Sequence, residues 1–116
     1  MISVEVIKKS RDFLKVISNG SRFSKNGLII FYLHHNDSNC LKLGISVKKK
    51  AGNAVIRNKL KRQLRELFKN KSINMHGLAM VVIVNGGGNM VESSYKSSSN
   101  AIDAFIDFIS KTKNLK

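Results

Sequence analysis

A chain of 116 residues, 42% of them apolar, can fill one hydrophobic core but not two, and its 21 Lys and Arg against 7 Asp and Glu give a formal charge of +14. A balance this basic favours polyanionic partners, nucleic acid before an anionic membrane surface, and leaves the free chain repelling itself. No apolar run approaches the eighteen or so residues of a membrane span, and charges interrupt the first twenty residues, so a secreted or membrane-inserted protein is disfavoured.

The first element expected is a helix over 11–19. Ser10 suits its N-cap, Asp12 its first turn and Gly20 its stop, while Phe13, Leu14, Val16 and Ile17 cover one side. A short strand over 21–24 and a turn at Lys25-Asn26-Gly27 lead into the continuous β-branched run 28–33, which reads as a central strand. After a polar turn over 34–39, Leu41, Leu43, Ile45 and Val47 alternate with Lys42, Gly44 and Ser46, as in a half-buried strand. Cys40 is alone, so no internal disulfide can form, and it reads as a small buried residue, not a nucleophile. The adjacent His34 and His35 lack the spacing to converge on a metal.

The stretch 48–71, KKKAGNAVIRNKLKRQLRELFKNK, then gathers ten of the 21 basic residues against one acid, Glu66. Gly52 and Asn53 break the strand alternation, and Asn53 is a good N-cap for a helix beginning at Ala54 and ending near Asn70. At about 100° per residue, Ile56, Leu60, Leu64, Leu67 and Phe68 share one arc, and Asn58, Lys61, Arg62, Arg65 and Lys69 share the arc beside it. A merely solvated basic helix interleaves signs; this one has almost nothing to pair with and needs a polyanion. Arg57, Arg62 and Arg65 are the residue type whose planar fork matches phosphate oxygens and stacks on bases.

Residues 78–84 form an apolar strand, and Gly86, Gly87 and Gly88 a linker, because no Gly-Lys-Ser/Thr follows to cradle a phosphate. Serines weaken the next segment, yet Ile102, Phe105, Ile106 and Ile109 have helical spacing before a fraying 111–116. Without repeats or a separating linker, 1–116 reads as a single domain. Its class is α+β, a small two-layer sandwich of a mixed sheet with packed helices.

The segment 44–68, GISVKKKAGNAVIRNKLKRQLRELF, resembles the signature of the protein component of bacterial ribonuclease P. Gly44, Ser46, Val47, Lys49, Gly52, Asn53, Ala54, Val55, Arg57, Asn58, Lys61, Arg62 and Arg65 fall into its register without a gap. Outside this stretch the likeness thins to Asp12-Phe13, Gly20 and the order of elements. It implies a ribosomal protein S5 domain 2-like fold with a left-handed strand-helix-strand crossover, where general rules alone give a right-handed one.

The resemblance further implies the protein subunit of an endoribonuclease that matures the 5′ end of transfer RNA in the bacterial cytoplasm. Mg²⁺-assisted hydrolysis would belong to the RNA subunit, with no metal held by the protein, no membrane and no obligate protein partner. Carried over by register, Arg57, Asn58, Lys61, Arg62 and Arg65 contact the ribonuclease P RNA, and Lys48, Lys49 and Lys50 add less directional charge. Phe13, Ile17 and Phe31 would line a cleft for the 5′ leader of precursor transfer RNA, although aromatics in apolar stretches more often serve the core.

Three positions depart from the family pattern. Ile17 cannot stack a base where a second aromatic is common, Glu5-Val6-Ile7 stands where relatives are usually basic, and Val84-Asn85-Gly86 lacks the usual Arg or Lys. Charge and an amphipathic helix alone would equally suit a ribosomal or assembly protein of the same fold, or a peripheral membrane protein, though the latter lacks a Trp or an exposed aromatic insertion face.

Overall fold

The computed structural model describes residues 3–25, 27–35, 39–71, 75–84 and 94–114. Its elements are β1 (Ser3–Val6), α1 (Ser10–Asn19), β2 (Ser21–Lys25), β3 (Leu28–His34), β4 (Cys40–Val47), a 3₁₀ turn (Lys49–Ala51), α2 (Ala54–Asn70), β5 (Leu78–Val84) and α3 (Ser94–Asn114). The strands form one mixed sheet in the order β1-β4-β5-β3-β2. β1 and β5 run parallel to β4, whereas β3 is antiparallel to both β5 and β2.

β5 lies at the centre, and its sequence LAMVVIV has no polar position because both of its faces are covered. The strand alternation sorts the apolar residues into two clusters. The larger takes Leu28, Ile30, Leu41, Leu43, Met80 and Val82 from one face and packs them against Leu60, Leu64, Leu67 and Phe68 of α2 and Ala101, Ile102 and Phe105 of α3. Burying each large side chain of that kind contributes about 1.5–3 kcal/mol, so this layer carries most of the stability. On the other face α1 sets Val16 over Ala79 and Val81 in a smaller cluster, leaving part of that face uncovered.

The α+β mixed-sheet class, α2 and β5 stand where the sequence places them. The N-terminal strand β1 escapes the sequence pattern, because its four residues border the sheet and alternate too briefly to register. Ser10 is the first helical residue of α1, not its cap; Lys9 occupies the extended cap position without a side-chain hydrogen bond. α3 begins at Ser94 despite its serines and continues to Asn114, beyond the point where fraying was expected. The Gly86–Gly88 linker lies outside the described residues.

A candidate nucleic-acid interface

The basic segment begins where β4 ends. Lys48, Lys49 and Lys50 are exposed, the last two in the 3₁₀ turn, and Gly52 follows with φ 145°, a value L side chains rarely adopt. A Cβ there would also stand 2.9 Å from Ile56 Cγ2, so glycine alone lets the turn close on the helix. Asn53 Oδ1 then accepts a hydrogen bond from the Ile56 N–H at 3.0 Å, and Asn53 C=O accepts one from the Arg57 N–H at 2.9 Å. The α2 N-terminus therefore opens beside three lysines with no acid in its first turn, a concentration of positive potential suited to phosphate.

Along α2 the two arcs separate as the period requires. Leu60, Leu64, Leu67 and Phe68 are buried, while Asn58, Arg62, Arg65 and Lys69 are exposed and Lys61 lies at the boundary. Arg57 departs from the simple division: it is only partly exposed, on the edge of the buried arc, and its Nε is buried with no hydrogen-bond partner among the described residues. An unsatisfied buried donor costs about 1–3 kcal/mol, so an acceptor that reached Arg57 Nε would be favoured. Val55, also in the motif register, is 76% exposed on the first turn beside the basic arc. On the neighbouring side, Lys71 at the end of α2 pairs with Asp103 of α3 and ties the two helices together.

The opposite face of the sheet brings Phe13, Ile17 and Phe31 together. All three are half-buried around Val16, Ala79 and Val81, which leaves them between a sealed core and an open surface. Strand register aligns Phe31, Val81 and Gly44 in one row across β3, β5 and β4. The Phe13 ring sits over the last of these, because a Cβ on Gly44 would fall 2.7 Å from Phe13 Cζ. Gly44 belongs to the motif register read from the sequence, but its place under the Phe13 ring is visible only in the fold. Of the three departures, Ile7 packs against this same cluster, Val84 is buried at the end of β5, and Asn85 and Gly86 lie outside the described residues.

Among the described residues no three His, Cys, Asp or Glu side chains converge as a metal site, and no helix is long and apolar enough to cross a membrane.

The family profile of ribonuclease P matches residues 1–107 of the chain. The ribonuclease P protein component of Mycoplasma capricolum is 36% identical over 102 residues, 88% of this chain and 93% of that protein. That of Lachnoclostridium phytofermentans is 35% identical over 99 residues, 84% of this chain and 83% of the other. The solved ribonuclease P protein of Staphylococcus aureus superposes with a TM-score of 0.74 at 28% identity, covering 90% of this chain and 94% of that one.

Proposed function

The chain belongs to the ribonuclease P protein family, the protein component of an endoribonuclease of transfer-RNA processing, and from that premise we propose that it binds two RNAs on two faces. The exposed arc of α2 and the lysines before it bind the ribonuclease P RNA, and the cleft of Phe13, Ile17 and Phe31 takes the 5′ leader of precursor transfer RNA. The observation that carries this reading is the division of α2: Asn58, Arg62 and Arg65 stand exposed beside a buried apolar arc, with Glu66 the single acid on the helix. A helix so charged gains stability when phosphates neutralise it.

In this reading the chemistry, hydrolysis leaving a 5′-phosphate on the mature end, belongs to the RNA subunit, which also holds most of the Mg²⁺ that the reaction uses. The protein raises substrate affinity and helps to order the metal-bound site of the RNA, working in the bacterial cytoplasm without an obligate protein partner. Half-buried rings at the cleft would stack an unpaired leader base.

Cleavage of a precursor transfer RNA by the cognate RNA at low Mg²⁺, with and without the protein, tests the reading directly. Stimulation by the protein is the expected result. Binding of the RNA without any stimulation would instead favour a non-enzymatic RNA-binding module of the same fold.

A further inference from the structure

One edge of the sheet is β2, a strand exposed at every residue except the half-buried Phe23. A two-residue connection joins Lys25 to its register partner Leu28, which makes that pair a hydrogen-bonded one. Bonded and non-bonded pairs then alternate along the ladder, so Ser21 and Phe23 turn their N–H and C=O groups toward β3, while Arg22 and Ser24 turn theirs outward. No described residue takes up those outward groups. The edge thus offers two donors and two acceptors in strand geometry.

Side chains alternate in step with the backbone. Phe23 points to the helical side of the sheet, where its ring centroid lies 5.4 Å from that of Phe105 and 5.3 Å from that of Phe108 on α3. Phe108 is 41% exposed, so the rings make an apolar step beside the strand. Lys25 shares that side, and Arg22 stands on the other, opposite Phe31 in the register. Both cations are exposed, and neither forms an ion pair among the described residues. The two acids of α3 are engaged elsewhere, Asp107 with Lys111 and Asp103 with Lys71.

Charges on an edge strand ordinarily keep other strands away, but here both are positive, so they repel a basic strand and attract an acidic one. A second copy of the chain fits poorly. Set antiparallel about Phe23, its own β2 would oppose Arg22 with Ser24 and Lys25 with Ser21, giving neither cation a counter-charge while two +14 chains approach. A row of phosphates offers acceptors alone, whereas an added peptide strand satisfies the donors and the acceptors of the edge together. We propose that β2 docks an acidic, extended segment of another protein, which joins the sheet antiparallel as a sixth strand. An apolar residue of the segment then lies beside Phe23 and Phe108. The residue after it opposes Arg22, the residue two before it opposes Lys25, and both are Asp or Glu. So short a contact belongs with weak, transient interfaces. It shares no residue with the basic arc of α2 or with Phe13, Ile17 and Phe31, so the inference depends on neither RNA assignment.

The probe is the fluorescein-labelled peptide Gly-Glu-Thr-Phe-Glu-Thr-Gly, titrated with the free protein and with the holoenzyme and read by anisotropy. Both should bind it saturably, and in the free protein the peptide should slow amide exchange at Arg22 and Ser24. Ser24→Pro removes one outward N–H and spares the β3 ladder, since an edge strand tolerates proline in that orientation. It should weaken the peptide about threefold to tenfold, the loss of one hydrogen bond, and leave precursor cleavage unchanged. Arg22→Glu with Lys25→Glu should reject this peptide and bind the version with Lys in place of both Glu. Unfolding cannot produce such a reversal.

Equal binding of the Glu and Lys peptides by the unsubstituted protein, or equal binding of the Glu peptide by Ser24→Pro, would overturn the docking edge. Slowed exchange at Arg22 and Ser24 with rising protein concentration alone, and a doubled mass on sedimentation, would make the occupant a second copy. Slowed exchange with an unstructured oligonucleotide and not with the peptide would make it RNA. Peptide binding that vanishes in the holoenzyme would assign the edge to the RNA subunit.

Discussion

Gly44 has no side chain, and that absence lets the Phe13 ring reach the sheet between α1 and β4. A Cβ at this position would stand 2.7 Å from Phe13 Cζ, so either the ring or α1 would have to shift. Gly44→Ala is expected to cost about 1–3 kcal/mol of stability through overpacking, read by thermal melting, and Gly44→Ala with Phe13→Leu should recover part of it. Phe13→Ala separates the two uses of the ring. If it stacks a leader base, precursor transfer RNA loses about 1–3 kcal/mol of binding to the holoenzyme while mature transfer RNA binds unchanged. Equal losses for both, with a large fall in melting temperature, would return Phe13 to the core. On α2 the same contrast lies between neighbours. Arg65→Ala should cost about 1–3 kcal/mol of RNA binding and leave the fold intact, since the side chain is exposed. Leu64→Ala should cost about 2–5 kcal/mol of stability, since that residue is 2% exposed inside the core. An exchange of these two effects would mean that the faces of α2 are assigned the wrong way round.

Whole elements depend on fewer residues than their length suggests. α2 starts where it does because Asn53 accepts from the Ile56 N–H, so Asn53→Ala should destabilise the protein by about 0.5–2 kcal/mol, measured by urea unfolding, and weaken RNA binding only in proportion to the folded fraction lost. A weakening of RNA binding with no change in stability would show that the Asn53 side chain itself meets RNA. This helix was legible from sequence to the residue, because cap, period and charge all agree there, and β5 was legible because seven consecutive apolar residues leave no other element of that length. β1 was not, since a four-residue edge strand with burial on one position carries almost no periodic signal. The extent of α3 was hidden by serines with poor helix propensity, which its packing through Ala101, Ile102 and Phe105 overrides. At the candidate site, the exposed arc of α2 followed from angular spacing alone. The seat of Phe13 on Gly44 and the alignment of Phe31, Val81 and Gly44 depend on strand register, which the linear sequence does not display.

At the scale of the molecule, +14 charges on 116 residues set the terms of both stability and binding. The sheet's larger core lies beneath α2 and α3, so the repulsion among the α2 cations acts on a helix that its own apolar arc holds down. Phosphates bound along the exposed arc would relieve that repulsion and release the counterions condensed on the RNA, and the two effects have opposite salt signatures. Salt screens the free protein's self-repulsion, raising its melting temperature, while the same salt weakens its complex. Each phosphate contact contributes about 0.7–0.9 to the slope of log affinity against log salt concentration, so a set drawn from Lys48, Lys49, Lys50, Arg57, Lys61, Arg62 and Arg65 is expected to give a steep negative slope in a filter-binding series with the ribonuclease P RNA. Arg65→Ala should shallow that slope by about one contact, whereas Leu64→Ala should lower the active fraction and leave the slope alone. A slope near zero would remove phosphate contact as the basis of binding, whatever the affinity measured at any one salt concentration.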